Sequence, residues 1–225
     1  MVGTFSDTWL VIPLYNEASV IASVISGALP TFPNIVCIDD GSRDSSAQAA
    51  LDAGAHVVLH PINLGQGAAL QTGIDFVRTR TSARYLVTFD ADGQHRVQDA
   101  AAMRQRAEDE DLGFVLGSRF LGEPVECGPL RQFALRFAAR FSSWKQGMNL
   151  TDTHNGLRLM RRDAFEQIHI TQSRMAHASE VIRQLHDTHL PYAEQSVYIR
   201  YSDYSRSKGQ SSWNAVNILM ELLIR

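Results

Sequence analysis

The chain has 225 residues, of which 44% are hydrophobic and 20% are charged, and its formal net charge is −3. These values are typical of a soluble globular protein, and they exclude a strongly basic surface for nucleic acid. The sequence has no apolar stretch of about 18 residues and no signal-peptide pattern, so we expect a soluble or peripheral protein. Two isolated cysteines, Cys37 and Cys127, favour a reducing cytoplasm over a disulfide framework.

Short apolar runs alternate with helical patterns through the first half of the chain. Strands are predicted at Trp9–Pro13, Ile35–Ile38, His56–Leu59, Tyr85–Phe89 and Phe114–Leu116. Helices are predicted between them at Glu17–Leu29, Ser42–Leu51, Gly67–Val77 and Val97–Ala107. This alternation indicates right-handed crossovers and a mainly parallel sheet that helices cover on both faces.

The second half breaks this rhythm. It predicts a long helix at Pro129–Met148, a short strand at Leu157–Met160, a helix at Ser179–Asp187, an edge strand at Ser196–Tyr201 and a last helix from Ser212. Repeats, low-complexity segments and linkers are absent from the sequence. We therefore predict a single α/β domain over residues 1–225, with a ligand-binding half at 1–119 and a second half at 120–225.

Polar clusters directly follow the predicted parallel strands. They are Asn16-Glu17, Asp39-Asp40-Gly41-Ser42, Asn63-Leu64-Gly65-Gln66-Gly67, Asp90-Ala91-Asp92-Gly93-Gln94-His95 and Gly117-Ser118-Arg119. The carboxyl ends of parallel strands meet at one edge of a sheet, and α/β proteins bind ligands there. We therefore expect these clusters to form one site.

Asp90 and Asp92 stand one residue apart beyond a buried strand. Two such carboxylates repel each other, and a hard divalent cation removes the conflict while keeping positions open for diphosphate oxygens. Such a cation also neutralises the charge on a departing diphosphate. The alternative is structural, with Asp90 capping a helix or turn and Asp92-Gly93 forming a turn.

Asp39 and Asp40 follow the second strand, where an acidic side chain accepts hydrogen bonds from a base or a ribose. Helix capping by Ser42 and Asp44 is the alternative reading of this segment. Gly65 and Gly67 open a helix and could bring its backbone close to a ligand. The sequence contains neither Gly-x-Gly-x-x-Gly after the first strand nor Gly-x-x-x-x-Gly-Lys, which argues against a dinucleotide enzyme and a phosphate-loop NTPase.

Taken together, these motifs resemble the family 2 glycosyltransferases, which are inverting enzymes of the GT-A fold. The resemblance is carried by residues 11–17, 38–44, 63–69, 89–95, 117–119 and 155–158, and it covers about residues 9 to 210. It is strongest for the polyprenyl-phosphate sugar synthases and related cell-envelope polysaccharide enzymes. The chain lacks the Gln-x-x-Arg-Trp motif of the processive synthases, so polymerisation is not expected.

The resemblance implies a Rossmann-like nucleotide-sugar-binding half, an acceptor half and a set of site residues. The nucleoside contacts would be Pro13, Tyr15, Glu17, Asp39 and Asp40, with Asp90 also on the nucleotide. The Mn²⁺ or Mg²⁺ ligands would be Asp90, Asp92 and Gln94, and the phosphate-facing cations would be Arg119, Arg131 and Lys208. The expected partners are a nucleoside diphosphate sugar and a polyprenyl phosphate or glycan acceptor, with no nucleic acid.

The acceptor decides whether a general base is needed. A sugar hydroxyl must lose a proton to a nearby carboxylate, whereas a lipid phosphate is already ionised. Glu180 lies near the position where hydroxyl-directed relatives place their base, and Asp152 is a weaker candidate. The alternative for Glu180 is a solvated helix residue without a catalytic role.

Contact with a membrane is a further open question. Phe133, Phe137 and Phe141 recur at helical spacing beside Arg136 and Arg140, a pattern typical of core packing or of an interfacial helix. The expected location is the cytoplasm or the inner face of the cell membrane, with contact to lipid or to a membrane protein. The competing functions are transfer onto a sugar hydroxyl, a sugar nucleotidyltransferase and a non-catalytic nucleotide-binding module.

Overall fold

The structure is a computed structural model that describes residues 3–121, 148, 150–153, 155–173 and 176–200. Its strands are β1 (Thr8–Leu14), β2 (Asn34–Asp39), β3 (His56–Leu59), β4 (Tyr85–Thr88), β5 (Phe114–Ser118), β6 (Arg158–Arg161) and β7 (Tyr192–Ser196). Its helices are α1 (Ile21–Ala28), α2 (Ser46–Asp52), α3 (Gln66–Arg80), α4 (Val97–Asp109), α5 (Arg162–Phe165) and α6 (His177–Asp187). Apart from Met148, the helices predicted at Pro129–Met148 and from Ser212 fall on residues outside these ranges.

These strands form one sheet in the order β3-β2-β1-β4-β6-β5-β7. The pairs along β3-β2-β1-β4 are parallel, as is β5 with β7, whereas β6 is antiparallel to β4 and β5. The sheet is thus mainly parallel, as predicted. Because β6 runs in the opposite direction, its first residue, Arg158, pairs with Thr88 and lies at the edge where the other strands end.

Helices cover both faces of the sheet. In β1, Leu10, Ile12 and Leu14 pack into one buried cluster with α1, α2 and α4, while Val11 packs into the other with α3, α5 and α6. This division follows from the strand's alternation of side chains between its two faces. Within the described ranges, no helix reaches the length and apolarity that crossing a membrane requires.

The helix predicted from Ser42 begins only at Ser46. Residues 42–45 form a turn instead, because the amide of Ser42 donates to Asp39 Oδ1 at 2.7 Å and the amide of Ser46 donates to Asp44 Oδ1 at 3.0 Å. Side chains therefore satisfy the backbone before the helix starts. The turn carries residues 41–44 outward, beyond the end of β2.

The predicted edge strand at Ser196–Tyr201 is wrong. The strand is Tyr192–Ser196, which pairs with β5 in the register Phe114↔Tyr192 to Ser118↔Ser196. The amide of Val197 still donates to the carbonyl of Ser118, but the segment then leaves the sheet, since the amide of Tyr198 donates to Asp99 Oδ2 and that of Arg200 to the carbonyl of Gln94. This segment therefore runs over the loop that follows β4.

Candidate active site

A cavity of about 590 Å³ lies at the carboxyl ends of β1 and β2, beside the segment that follows β3. Its walls come from Tyr15, from residues 39, 41–44 and 47, and from residues 59–63. Two predicted nucleoside contacts, Tyr15 and Asp39, therefore lie on it, and Tyr15 is 42% exposed. The position matches the edge at which α/β sheets bind nucleotides.

Asp39 offers this cavity an acceptor atom that lacks a donor. Its Oδ1 accepts a hydrogen bond from the amide of Ser42, while its Oδ2 is buried and has no hydrogen-bond partner among the described residues. A buried carboxylate oxygen without a donor is costly. An N–H or O–H group of a bound nucleoside would remove that cost.

The neighbouring Asp40 makes its hydrogen bonds with the segment that follows β3. Its Oδ1 accepts a hydrogen bond from the amide of Leu64, its Oδ2 accepts one from the amide of Gly65, and His60 Nδ1 lies 2.8 Å from Oδ1. Asp40 is not among the residues that line the cavity. The structure therefore shows Asp40 holding the segment after β3, and its direct contact with a nucleoside stays a prediction.

Pro13 and Glu17, the other predicted nucleoside contacts, are not among the residues that line the cavity. Pro13 pairs with Ile38 inside the sheet. The amide of Glu17 donates a hydrogen bond to Ser46 Oγ, at the start of α2, at 2.7 Å. The charge of Glu17 acts on Asp92, whose pKa it helps to raise. Glu17 therefore lies on the side of the site that faces the acidic pair.

Asp90 follows β4 and lies near the buried side chains of His95 and Arg158. His95 Nε2 is 2.8 Å from Asp90 Oδ2, and the His95 side chain is 3% exposed while that of Asp90 is 30% exposed. Burial raises the pKa of Asp90, but the charge and hydrogen bond of His95 and the charge of Arg158 bring it below its ordinary value. Asp90 is therefore held ionised and partly accessible.

Asp92 has the opposite electrostatic environment. Burial raises its pKa, and the negative charge of Asp90 raises it further, although the amide of Gln94 donates to Asp92 Oδ1 at 3.0 Å. Gly93 has φ +74°, so the loop turns sharply between Asp92 and Gln94. The loop thus places Asp92 close enough to Asp90 for their charges to conflict.

A divalent cation fits the donor chemistry of this pair. A cation between Asp90 and Asp92 would remove the repulsion that raises the pKa of Asp92, and carboxylate oxygens are the ligands that Mg²⁺ and Mn²⁺ prefer. Among the described residues, no group of three or more His, Cys, Asp and Glu side chains is arranged to hold a metal. An ion here would take its remaining ligands from substrate oxygens or water.

Arg119 and Asp152 form a bidentate ion pair beyond the end of β5. Arg119 Nε donates to Asp152 Oδ2 at 2.7 Å and Nη2 donates to Oδ1 at 2.8 Å. The side chain of Asp152 is 2% exposed and that of Arg119 is 28% exposed. The predicted phosphate-facing arginine is therefore anchored by the residue considered as a secondary base candidate.

Arg158 and His177 are two buried residues to which the sequence assigned no role. Burial lowers the pKa of Arg158 to about 10, against the charges of Asp90 and Asp152 that raise it. The charge of His177 helps to lower the pKa of Asp90. In the sequence, an arginine at the start of an apolar strand such as Leu157–Met160 indicates an internal ion pair, so Arg158 could have been found. No sequence pattern indicates a role for His177.

Glu180 is buried on α6 and binds the backbone of an adjacent segment. Its carboxylate accepts hydrogen bonds from the amide and hydroxyl of Thr171 and from the amide of Gln172, at 2.6–3.1 Å. Burial raises the pKa of Glu180, but these hydrogen bonds bring it below the ordinary value. This geometry supports a role in holding residues 171–172 and gives no support to the predicted general base.

The two glycines at the start of α3 make room for protein backbone. A Cβ at Gly65 would lie 2.3 Å from the carbonyl oxygen of Ser173, and one at Gly67 would lie 2.0 Å from that of Gln172. The amide of Gly67 also donates to the Ser173 carbonyl at 3.0 Å. The expected close approach at these glycines is therefore made by residues 172–173. Arg131 and Lys208, the other predicted phosphate contacts, lie outside the described residues.

A mainly parallel sheet flanked by helices, with a cavity and an acidic pair at its carboxyl edge, is the architecture of the GT-A class of glycosyltransferases. Residues 9–169 match the family Glycosyl transferase family 2, and the chain belongs to that family. The prediction of a glycosyltransferase is confirmed, and a sugar nucleotidyltransferase has no support.

Similar proteins agree with this assignment. The chain is 32% identical to Glycosyltransferase AglJ of Haloferax volcanii over 71% of its own length, and it spans about half (52%) of AglJ. It is 26% identical to the UDP-N-acetylglucosamine–dolichyl-phosphate N-acetylglucosaminyltransferase of Methanococcus voltae, over 96% of this chain and 94% of the relative. The fold is shared with glucosyl-3-phosphoglycerate synthase of Mycobacterium tuberculosis in complex with Mn²⁺, UDP-glucose and phosphoglyceric acid, with a TM-score of 0.64, 16% identity and coverage of 95% of this chain and 78% of that one.

Proposed function

We propose that this protein transfers a hexose from a nucleoside diphosphate sugar to a polyprenyl phosphate, with a divalent cation at Asp90 and Asp92. The observation that carries the proposal is that both halves of a donor site meet at one sheet edge. Asp39 presents an unpaired buried oxygen at the nucleotide cavity beyond β2, and Asp90 and Asp92 present two conflicting carboxylates beyond β4, which is separated from β2 only by β1.

The donor side follows from these contacts. The nucleoside would occupy the cavity beside Tyr15 and donate to Asp39 Oδ2. Asp90 and Asp92 would hold Mn²⁺ or Mg²⁺, and Gln94 stands on the same loop. When bound, such a cation neutralises the charge that develops on the leaving nucleoside diphosphate. His95 keeps the carboxylate of Asp90 oriented towards that position.

The choice of acceptor rests on the environments of the two candidate general bases, Glu180 and Asp152. Glu180 already accepts hydrogen bonds from Thr171 and Gln172, and Asp152 is paired with Arg119. A phosphate acceptor is ionised at neutral pH and needs no base, so an acceptor of this kind fits the occupied carboxylates better than a sugar hydroxyl does. The relative from Methanococcus voltae is named for transfer to dolichyl phosphate, which supports the same assignment.

The remaining features of the proposal follow from the reaction. A phosphate oxygen would displace the diphosphate directly at the anomeric carbon, with inversion, so the protein's task is to hold donor and acceptor in line. Because polyprenyl phosphates reside in membranes, the enzyme would work at the inner face of the cell membrane in cell-envelope synthesis. Arg131 and Lys208 are proposed as contacts of the acceptor phosphate.

Transfer of a radiolabelled sugar tests the proposal. The protein is incubated with labelled UDP-glucose, UDP-N-acetylglucosamine or GDP-mannose, with undecaprenyl or dolichyl phosphate in detergent, and with Mn²⁺. We expect label in the organic phase, and we expect Asp92→Ala or chelation to reduce it more than about 100-fold because leaving-group stabilisation is lost. Asp109→Asn, at an exposed carboxylate bonded to Gln105, is the matched control. Full activity after chelation, or transfer only to sugar hydroxyls, would overturn the proposal.

A further inference from the structure

The carboxylate of Asp40 is surrounded by donors from the segment that follows β3. His60 Nδ1 lies 2.8 Å from Oδ1, Leu64 donates its amide to Oδ1 at 2.9 Å, and Gly65 donates its amide to Oδ2 at 2.8 Å. The side chains of Asp40 and His60 are 4% and 8% exposed. Buried, charge-assisted hydrogen bonds of this kind hold both partners in one geometry.

His60 also connects this network to α3. Its Nε2 lies 2.9 Å from Thr72 Oγ1. Because an ionised Asp40 only accepts, Nδ1 of the imidazole carries the proton, and the Thr72 hydroxyl donates to Nε2 when the ring is neutral. Both ring nitrogens therefore have partners, and the ring cannot turn without losing them.

The segments on either side of this network both line the nucleotide cavity. One wall contains residues 41–44 and the other contains residues 59–63. They touch at Gly41, which has φ +72° and at which a Cβ would lie 2.7 Å from the carbonyl carbon of Ile62 and 2.8 Å from the amide nitrogen of Asn63. The hydrogen bonds of Asp40 with His60, Leu64 and Gly65 therefore help to hold these two walls together.

We propose that His60 is a positioning residue for the donor nucleotide, acting through Asp40 on the segment 61–65. The inference rests on the proposed function and extends it to a residue outside the diphosphate site. If the cavity wall is already ordered before the nucleotide binds, binding does not include the entropy cost of ordering that wall. Loss of the network should therefore weaken nucleotide binding and leave the transfer rate at saturating donor within about 2-fold of the wild-type rate.

Titration calorimetry with UDP and GDP in the presence of Mn²⁺ tests this role in four variants. His60→Ala removes both hydrogen bonds, His60→Asn retains a donor near the position of Nδ1, and Thr72→Val removes only the distal bond. His186→Ala, at a partly exposed histidine on α6, is the control. We expect the dissociation constant of the nucleotide that binds to rise about 10-fold in His60→Ala and about 3-fold in Thr72→Val. His60→Asn should recover most of the wild-type affinity, and His186→Ala should match wild type.

The outcomes separate this inference from the proposed function. If wild-type protein binds neither UDP nor GDP, the proposed function fails and the inference falls with it. If wild type binds and His60→Ala binds equally well, only the inference is overturned. A merely structural role would lower the melting temperature and the active fraction while the dissociation constant stayed unchanged. Should His60→Ala not fold, unchanged affinity in Thr72→Val would overturn the inference.

Discussion

Gly156 lies so close to Asp90 that a Cβ at position 156 would be 2.5 Å from Asp90 Oδ2 and 2.8 Å from Oδ1. On another side, His95 Nε2 is 2.8 Å from the same Oδ2. Thr88 Oγ1 donates to the carbonyl of Gly156 at 2.6 Å, which ties the glycine to β4. The carboxylate of Asp90 is therefore confined between neighbours that are themselves held in place.

Gly156→Ala should displace this carboxylate. The added methyl group must push either the backbone or Asp90, and such overpacking costs about 1–3 kcal/mol. We expect the protein to fold and its kcat/KM for the donor to fall about 10-fold or more, with a higher Mn²⁺ concentration needed for half-maximal activity. Steady-state transfer over a Mn²⁺ titration measures both quantities.

Gly27→Ala is the matched control for that variant. Gly27 is exposed on α1, and a Cβ there would meet no atom within 4 Å. Replacement by alanine in a helix stabilises by about 0.5–1 kcal/mol, so this variant should melt slightly higher and keep wild-type activity. Wild-type activity and metal dependence in Gly156→Ala would show that the position of Asp90 is unimportant.

Asp92→Asn should stabilise the metal-free protein while it abolishes transfer. The pKa of Asp92 is raised by burial and by the charge of Asp90, so the folded state disfavours the ionised form. A raised carboxyl pKa means that the folded chain binds more protons than the unfolded chain, and stability falls as the pH rises through that pKa. Asparagine has a similar volume and no charge, so the variant does not lose folding stability in this way as the pH rises.

The measurement is thermal unfolding at pH 7 with a chelator present. We expect Asp92→Asn to melt about 2 °C above wild type, the shift that roughly 0.5–1 kcal/mol produces in a domain of this size. The difference should shrink as the pH is lowered and Asp92 of the wild type becomes protonated. A lower melting temperature for the variant at pH 7 would contradict the electrostatic conflict between Asp90 and Asp92.

Glu180→Gln should impair stability more than chemistry. The hydrogen bonds from Thr171 and Gln172 favour the ionised carboxylate, and hydrogen bonds to charged groups contribute about 1.5–3 kcal/mol each, so we expect a loss of roughly 1–3 kcal/mol in unfolding free energy at pH 7. Transfer at saturating substrates should stay within about 3-fold of wild type. Urea unfolding and steady-state kinetics measure the two effects.

The pH dependence gives the sign of the Glu180 contribution. Its folded pKa lies below the ordinary value of 4.5, so its stabilisation is present above that value and is lost as the pH falls through the folded pKa. The gap between wild type and Glu180→Gln should therefore be full at pH 7 and shrink as the pH falls below 4.5 and through the lowered folded pKa. Glu166→Gln, at a half-exposed carboxylate paired with Arg162, is the control. A rate loss of orders of magnitude in a fully folded Glu180→Gln would restore the general-base hypothesis.

The sheet and the edge at which the polar clusters gather could be predicted from the sequence because each polar cluster directly follows an apolar run. His56–Leu59 was predicted with its observed bounds. The position of β7 could not be predicted, since residues 196–201 alternate more regularly than Tyr192–Ser196, and pairing with β5 decided the strand. Tertiary pairing of this kind overrides local pattern.

The roles of individual acidic residues were harder to predict. Asp39 and Asp40 are adjacent at the end of β2, where successive side chains point to opposite sides, so only one could face the cavity and the sequence does not say which. The partners of Glu180 lie in an irregular segment whose path has no periodic signal. Arg158 gained its place beside Asp90 from the antiparallel direction of β6, which only the complete sheet reveals.

The central claim is that Asp90 and Asp92 hold a divalent cation together with a nucleoside diphosphate. Electron paramagnetic resonance of Mn²⁺ distinguishes free from bound ion during a titration of the protein with UDP or GDP present. We predict that a single Mn²⁺ binds per chain in the wild type and in Asp109→Asn, and that Asp92→Asn loses this binding. Equal Mn²⁺ binding in Asp92→Asn, or nucleotide binding that survives chelation with undiminished affinity, would contradict the account.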